Sequence, residues 1–468
     1  MAIQRRLRLG LLTLRNAGVH TYGRAPRCAD ACGKLTAMTK STGSITTASA
    51  TAIGVGGMMG AGLYTLLGLA STTAGVWLPV AFLVGGVVTV FSVYSYAKLG
   101  AKYPSRGGAA QFLIQCFGDG VIAGGLNVFQ FLGWIIAMAL YCAGFAGYAR
   151  ALLPWETPAW SGKLIGIGLI VVVVFINMVG SKLVGRSESV VVTIELAILA
   201  VFAVFGLMKA DPSRLAENGD HHWLGVLFAA GLLYVTYEGF GVVTNSAGDM
   251  REPAKELPRA MFSALAIVVV VYVVISTIVV MTLSLPSLDA NQGHVLSEAG
   301  LAAMGHVGFV VIAVAALLAT ASGVNATMYG DANLAFMVAK SGELPSDFTR
   351  GVWRGGTVGM LVAAALTALF VLFFPLSAVG SMASLAFLIV YGTVSVGHLR
   401  VHRETGAKPW LLVVAVVLNA LLFLLLLGYT IHTGPASTWI TLLAVLALSF
   451  VFEIVYRTRT GRTLKVEH

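Results

Sequence analysis

Three acidic residues, Glu195, Glu238 and Asp331, lie inside long apolar stretches of this 468-residue sequence and have no Lys or Arg close to them in the chain. A buried, unpaired carboxylate is expensive, so such residues usually face a cavity where they hold a proton or bind a cation. Proton or cation binding is therefore the chemistry that the three side chains indicate. The structural alternative is a protonated carboxyl group that hydrogen-bonds across helices.

Glycines cluster at two places where a regular helix would avoid them. The stretch Gly54–Gly62 contains five glycines, and Glu238 is followed by Gly239 and Gly241. Because each Gly costs a helix about 1 kcal/mol relative to Ala, both stretches predict an interrupted helix. Unwound backbone inside a membrane lines cavities, where its amides bind anions and its carbonyls bind cations. For Gly54–Gly62 taken alone, close helix packing through small residues explains the spacing equally well.

The elements that position these residues must be membrane helices. Hydrophobic residues make up 57% of the chain and charged residues 11%, whereas a soluble domain carries about 25% charged residues. Apolar runs without alternation favour an all-α polytopic protein over a barrel. About twelve spans are predicted, at 45–72, 77–98, 120–149, 162–181, 187–208, 223–247, 260–283, 302–338, 357–374, 379–398, 409–430 and 437–455.

The positions of the basic residues predict the orientation. On this map 26 of the 30 Lys and Arg residues fall on one side, which places both termini in the cytoplasm of a multi-pass cell-membrane protein. The net charge of +10 therefore reflects topology, and nucleic-acid binding is excluded. Residues 1–44 lack an apolar signal-peptide core and are expected to form a basic cytoplasmic tail, although Met38 is an alternative start. The four cysteines predict neither a disulfide framework nor a metal site.

The two glycine groups occupy matching positions in the first and sixth spans. Gly60 and Gly239 are about 180 residues apart, as expected for a transporter built from two inverted repeats of five helices. The predicted repeats cover 45–208 and 223–400, and two further spans at 409–456 precede a cytoplasmic tail at 457–468.

Several motifs in a fixed order resemble the amino acid/polyamine/organocation (APC) superfamily of secondary transporters over about residues 45–400. The matching blocks are Gly57–Leu63, Tyr103–Gly108, Asn177–Gly180, Tyr237–Phe240, Arg251–Arg259 and Ala339–Pro345. The resemblance implies a LeuT-type fold with broken helices 1 and 6, and alternating access around a substrate bound between helices 1, 3, 6 and 8. It implies no cofactor.

An amino acid substrate, which the resemblance implies, offers a carboxylate and an ammonium group. Amides at the start of a half-helix favour the carboxylate; they are expected at Gly60, Ala61 and Gly62. Carbonyls that accept from the ammonium group are expected at Met58, Tyr237 and Glu238, beside Gly239. Candidates for the variable part of the substrate and for the gate are Met59, Trp134, Tyr237, Phe240 and Asn325, and for each of these ordinary helix packing is the alternative.

Glu195 is the candidate for ion coupling. The block Val192–Leu196 resembles a stretch of helix 5 in which many sodium-independent relatives carry Lys. A carboxylate there can hold a proton, or can bind sodium together with Ser322 and carbonyls near Gly54. The hypothesis is that Glu195 couples transport to a cation, with a proton preferred over sodium.

These observations predict a secondary transporter of neutral or cationic amino acids. The alternatives are an amino acid or polyamine exchanger, or a potassium or other cation transporter of the same superfamily. The sequence contains neither a phosphate-binding loop nor a His-Glu-x-x-His motif, so an enzyme is not indicated. A potassium-channel filter of the Thr-Val-Gly-Tyr-Gly type is also absent from the sequence, and the tails are too short for an evident signalling domain.

Overall fold

The computed structural model describes residues 45–105, 108–155, 157–179, 182–217, 223–353 and 355–461, without the side chains of Gly60, Ala61, Ala159, Glu217 and 182–189. The predicted tail at 1–44 and the end of the chain from 462 lie outside the described residues.

The described part of the chain is almost entirely helical, in keeping with an all-α polytopic membrane protein. The first six helices are α1 (Thr47–Ala74), α2 (Leu78–Lys102), α3 (Gly108–Phe117), α4 (Val121–Ala151), α5 (Ala159–Val179) and α6 (Lys182–Lys209). The short α7 (Arg214–Glu217) is followed by α8 (Trp223–Leu233), a 3-10 turn (Tyr234–Tyr237), α9 (Phe240–Thr244) and a second 3-10 turn (Ala247–Asp249). The remaining elements are α10 (Pro253–Thr282), α11 (Leu285–Ala290), α12 (Val295–Lys340), the hairpin β1 (Gly351–Trp353) and β2 (Gly356–Thr357), α13 (Val358–Phe373), α14 (Leu376–Thr405), α15 (Pro409–Thr433) and α16 (Ala436–Thr460).

Ten helical segments of the described chain are long and apolar enough to cross a membrane. Each predicted span coincides with helix, but α1 and α2 run almost without a break, and α13 has only 16 residues. The short α3 and α11 and the β-hairpin were not predicted. Helix α12 has 46 residues and is kinked at Gly305, whose φ of 69° lies in the left-handed region.

Exposed tryptophans lie near helix ends or, for Trp353, in the β-hairpin, as expected for side chains at the two membrane–water interfaces. Each is 47–69% exposed, and none lies in the middle of a helix; they are Trp77, Trp155, Trp160, Trp223, Trp353 and Trp410. The first four lie at the predicted outer ends and the last two at the predicted cytoplasmic ends.

The predicted break in the first span is wrong, because α1 is one continuous helix through Gly54–Gly62. The glycines serve close packing instead. A Cβ atom on Gly62 would lie 2.7 Å from the Cα of Thr236, and one on Gly57 would lie 3.2 Å from the Cα of Gly239. The absence of side chains thus lets α1 approach the neighbouring backbone, which compensates for its low helix propensity.

The predicted break in the sixth span is present. We call Trp223–Asp249 the interrupted helix, because two α-helical pieces are separated there by the 3-10 turn Tyr234–Tyr237 and by Glu238 and Gly239. The interruption packs directly on α1 and is buried throughout.

Substitution of Gly239 should test this close contact. A Cβ atom there would lie 2.1 Å from the carbonyl carbon of Gly57 and 2.3 Å from the backbone nitrogen of Met58, and backbone atoms cannot move aside easily. We expect Gly239→Ala to lower the free energy of unfolding by about 1–3 kcal/mol or more, measured by denaturant titration in detergent micelles. Gly248→Ala is the control, because an added Cβ meets nothing within 4 Å. Equal stability of the two variants would contradict the contact.

Candidate functional site

A cavity opens beside the interruption, between α1, α4, the interrupted helix and α12. Its wall includes the backbone of Gly56 and Gly57 on α1 and the residues Glu238, Gly239 and Gly241 of the interrupted helix. The other lining residues are Tyr96, Ala109, Gln130, Trp134, Tyr141, Val242, Asn245, Ser322, Gly323, Ala326, Thr327, Gly330, Asn333, Leu334 and Tyr391. The cavity therefore lies where the sequence predicts a substrate.

Hydroxyl groups of surrounding helices bond to backbone carbonyls of the interruption and of the last turn of α8 before it. Tyr272 on α10 donates to the Thr236 oxygen at 3.1 Å and to the Met58 oxygen at 2.6 Å, so it joins the interruption to α1. Tyr391 on α14 donates to the carbonyl oxygen of Glu238 at 3.0 Å. Ser384, also on α14, donates to the carbonyl oxygen of Leu232. These bonds provide the partners that a helix break inside a membrane requires.

Glu238 is the acidic residue of the cavity. Its side chain is buried, and Oε1 accepts a hydrogen bond of 2.5 Å from the Tyr141 hydroxyl. Oε2 has no hydrogen-bond partner among the described residues. Aromatic rings of Tyr96, Trp134 and Tyr391 line the same cavity, and no Lys or Arg is among the described lining residues. A carboxyl group among aromatic faces is an arrangement that can bind a cation or a proton.

Glu195 does not line the cavity. It is buried on α6, and the Tyr64 hydroxyl of α1 is close enough to interact with it electrostatically. Neither carboxyl oxygen makes a hydrogen bond of standard geometry to a described residue. Of its two predicted companions, Ser322 lines the cavity, whereas Gly54 packs against Ala264. The proposed coupling site thus rests on the pair of Glu195 and Tyr64.

Asp331 is a third buried carboxyl group and does not line the cavity, although its neighbour Gly330 does. Neither of its oxygens has a hydrogen-bond partner within the part of the chain that the structure describes. An unpaired carboxyl group in such surroundings is costly to bury.

The family model for amino acid permeases matches residues 45–453. The chain belongs to this family. It is 34% identical over 421 residues to an uncharacterized protein of Methanocaldococcus jannaschii, a match that covers 88% of this chain and 95% of the relative. It is 29% identical to an inner membrane transport protein of Escherichia coli (86% and 94% covered) and 24% identical to a methylthioribose transporter of Bacillus subtilis (90% and 95% covered).

In this permease, four of the predicted site residues line the cavity: Trp134, Glu238, Gly239 and Ser322. Three further predicted residues that the structure describes do not line the cavity. The Tyr237 hydroxyl donates to the Phe82 carbonyl at 2.8 Å. The Phe240 ring packs on Tyr96 and Tyr391 at centroid distances of 5.3 and 4.8 Å, and Asn325 accepts a 2.7 Å hydrogen bond from Asn177.

The predicted residues of α1 also differ from expectation. Met58 and Met59 are buried in the apolar core, and the Met58 carbonyl already accepts from Tyr272. Gly60, Ala61 and Gly62 lie within the continuous helix, where amides are used in bonds to the preceding turn. Their predicted role in binding a carboxylate is therefore not supported in this conformation.

Four polar or aromatic lining residues are not among those predicted from the sequence: Tyr96, Gln130, Tyr141 and Tyr391. Three of the lining residues on α4, at positions 130, 134 and 141, are spaced by four and seven residues and so share one helix face. This spacing of polar and aromatic residues is the signal that could have identified that face.

Removal of the Tyr272 hydroxyl should weaken the junction between α1 and the interruption. Tyr272→Phe keeps the ring but removes the donor to two buried carbonyls, so we expect a loss of about 1–2 kcal/mol in unfolding free energy. Denaturant titration in micelles measures it. Tyr429→Phe is the matched control, because its hydroxyl makes one long contact of 3.4 Å to Thr73. If both variants are equally stable, the Tyr272 hydroxyl does not join the two segments.

Proposed function

We propose that this permease is a secondary active transporter that moves neutral or cationic amino acids across the cell membrane by alternating access. The observation that carries the proposal is the cavity at the interrupted helix, which contains the buried carboxyl group of Glu238. A binding site at a helix break between packed helices is characteristic of transporters of this kind.

The groups around the cavity favour an amine over an anion. Glu238 is the acidic group of the cavity, and one oxygen of the Glu238 carboxyl group accepts a hydrogen bond from Tyr141. The described lining residues include no Lys or Arg. Aromatic faces of Tyr96 and Trp134 add attraction for an ammonium group. An anionic substrate would meet the Glu238 carboxylate without a compensating cation.

The proposed architecture consists of two inverted five-helix repeats, 45–208 and 223–400, followed by two further helices at 409–456. Both termini are proposed to lie in the cytoplasm, on the distribution of Lys and Arg residues given above. In this architecture the interrupted helix opens the second repeat.

The conformation is consistent with a cavity that faces the cytoplasm. Its lining includes Asn245 and Asn333, which are close to the predicted cytoplasmic ends of their helices. At the opposite end, the turn before α12 packs tightly on α4, where a Cβ on Gly147 would lie 2.6 Å from the Gly293 oxygen. We therefore assign the inward-facing state to this structure.

Uptake into proteoliposomes tests the function. A panel of amino acids and polyamines is offered with an imposed proton, sodium or potassium gradient, with and without solute inside. Uptake of neutral or cationic amino acids driven by a gradient supports symport. A requirement for internal solute would instead indicate exchange. Uptake of polyamines or potassium alone would contradict the proposed substrate class.

Glu238→Gln tests recognition of the amine. The amide keeps the size of the side chain but removes its negative charge, so we expect the KM for neutral and cationic amino acids to rise by about tenfold, the effect of 1.4 kcal/mol. Radiolabelled uptake measures it, with the exposed Glu252→Gln as the control for the same chemical change. An unchanged KM would show that the substrate amine binds elsewhere.

Glu195→Gln tests the proposed coupling. Because the amide cannot gain or lose a proton, we expect the variant to retain solute exchange but to lose uptake driven by a proton gradient. The measurement compares gradient-driven uptake with exchange in the same proteoliposomes. A variant that kept the full response to pH and sodium gradients would rule out Glu195 as the coupling residue.

A further inference from the structure

The helix α15 lies outside the two proposed repeats but reaches the interruption through a buried polar chain. Asn419 is the polar residue in the middle of α15 and is only 1% exposed. Its Nδ2 donates to the Ser92 hydroxyl on α2 at 3.0 Å, and this hydroxyl lies 2.8 Å from the hydroxyl of Tyr234. Tyr234 is the first residue of the 3-10 turn in the interrupted helix.

Apolar contacts extend the same attachment along α8. The rings of Phe228 on α8 and Tyr429 on α15 are stacked with centroids 4.9 Å apart. A Cβ atom on Gly231 would lie 3.1 Å from the Cβ of Leu426, so the two helices touch closely there. With Tyr234 as the third point, contacts recur every three residues along one face of the interrupted helix.

The attachment ends where the interruption begins. Residues 228, 231 and 234 contact α15 directly or through Ser92, whereas Glu238, Gly239 and Gly241 line the cavity. A polar chain buried among apolar helices is costly to break. On separation the Asn419 amide would keep only its 2.8 Å bond to the Ala415 carbonyl of its own helix. The part of the interrupted helix before Glu238 is therefore attached to α15 by these three contacts, none of which involves the part after it.

We propose that Asn419 is a positioning residue that fixes α8 and the start of the 3-10 turn to α15 and α2, so that movement within the interrupted helix during transport is confined to the segment from Glu238 onward. This inference rests on the proposed transport function. It assigns α15 a part in the transport cycle, as the support against which the hinge at Glu238 and Gly239 moves.

Hydrogen-exchange mass spectrometry tests the attachment without any substrate. In the wild-type protein we expect slower exchange of the amides at 228–237 than of those at 238–249. In Asn419→Ala we expect the amides at 234–237 to exchange at least fivefold faster. Thr430→Val is the matched control, because Thr430 is buried on the same helix and its hydroxyl bonds only to the Leu426 carbonyl of that helix. Equal exchange in the two variants would overturn the proposal.

Transport kinetics distinguish positioning from simple loss of stability. Because neither Asn419 nor Tyr234 lines the cavity, we expect Asn419→Ala to lower kcat per folded molecule by about fivefold or more while KM changes less than twofold. Asn419→Ser keeps a donor and should restore part of kcat. A lower yield of folded protein with unchanged kcat would show a merely structural role and would contradict the proposal.

A double-mutant cycle provides a second measurement if Asn419→Ala folds poorly. Tyr234→Phe and Ser92→Ala interrupt the same chain, so the double variant of Asn419→Ser and Tyr234→Phe should lose much less kcat than the sum of the single effects. If the effects of the two substitutions on kcat were fully additive, the proposal that these residues act as one hydrogen-bonded chain would be wrong. A wild-type protein that moves no solute of the panel would refute the proposed function, whereas the exchange experiment would still decide on the attachment.

Discussion

Hydrogen bonds donated to the interruption are the constraint on which the arrangement of the other helices depends. A helix break inside a bilayer leaves backbone groups that water cannot reach, and each unsatisfied group costs several kcal/mol. Here Tyr272, Ser384 and Tyr391 supply donors from α10 and α14. Because each hydroxyl must stand within hydrogen-bond distance of one carbonyl, these bonds also fix where α10 and α14 lie, and the cavity beside Glu238 is a consequence of that packing.

The glycines of α1 complete this arrangement from the other side. Gly62 allows the helix to approach the interruption so closely that a Cβ atom would not fit, and a Cβ atom on Gly57 would be crowded. Tyr272 then bridges the two backbones. The same glycines suggest an unwound helix when only propensity is considered. Tertiary contact decides between an unwound helix and a closely packed one. A single sequence does not show which residues will be in contact.

Much of the fold could be predicted from the sequence because helices that cross a lipid bilayer must consist of long apolar stretches. Long apolar runs located the helices, and the carboxyl group and glycines at Glu238–Gly241 located the interruption. The cavity wall was predictable only in part. Tyr96 and Tyr391 lie on helices that are apolar on most faces, so periodicity does not tell which face meets the cavity. Phe240 and Tyr237, which were predicted to contact the substrate, pack on the rings of Tyr391 and Tyr272 and do not line the cavity.

The acidic residues show how one helix can relate two sites. On α1, Gly57 lies at the cavity with Glu238, and Tyr64 lies beside Glu195. Seven residues separate Gly57 and Tyr64, about 10 Å along the helix axis. In the proposed cycle, a change of charge at Glu195 would act on α1 through Tyr64, and α1 packs directly on Gly239. A rigid, continuous α1 would transmit such a displacement to the cavity better than a broken helix would, so the unbroken first helix favours coupling through movement of α1 as a unit.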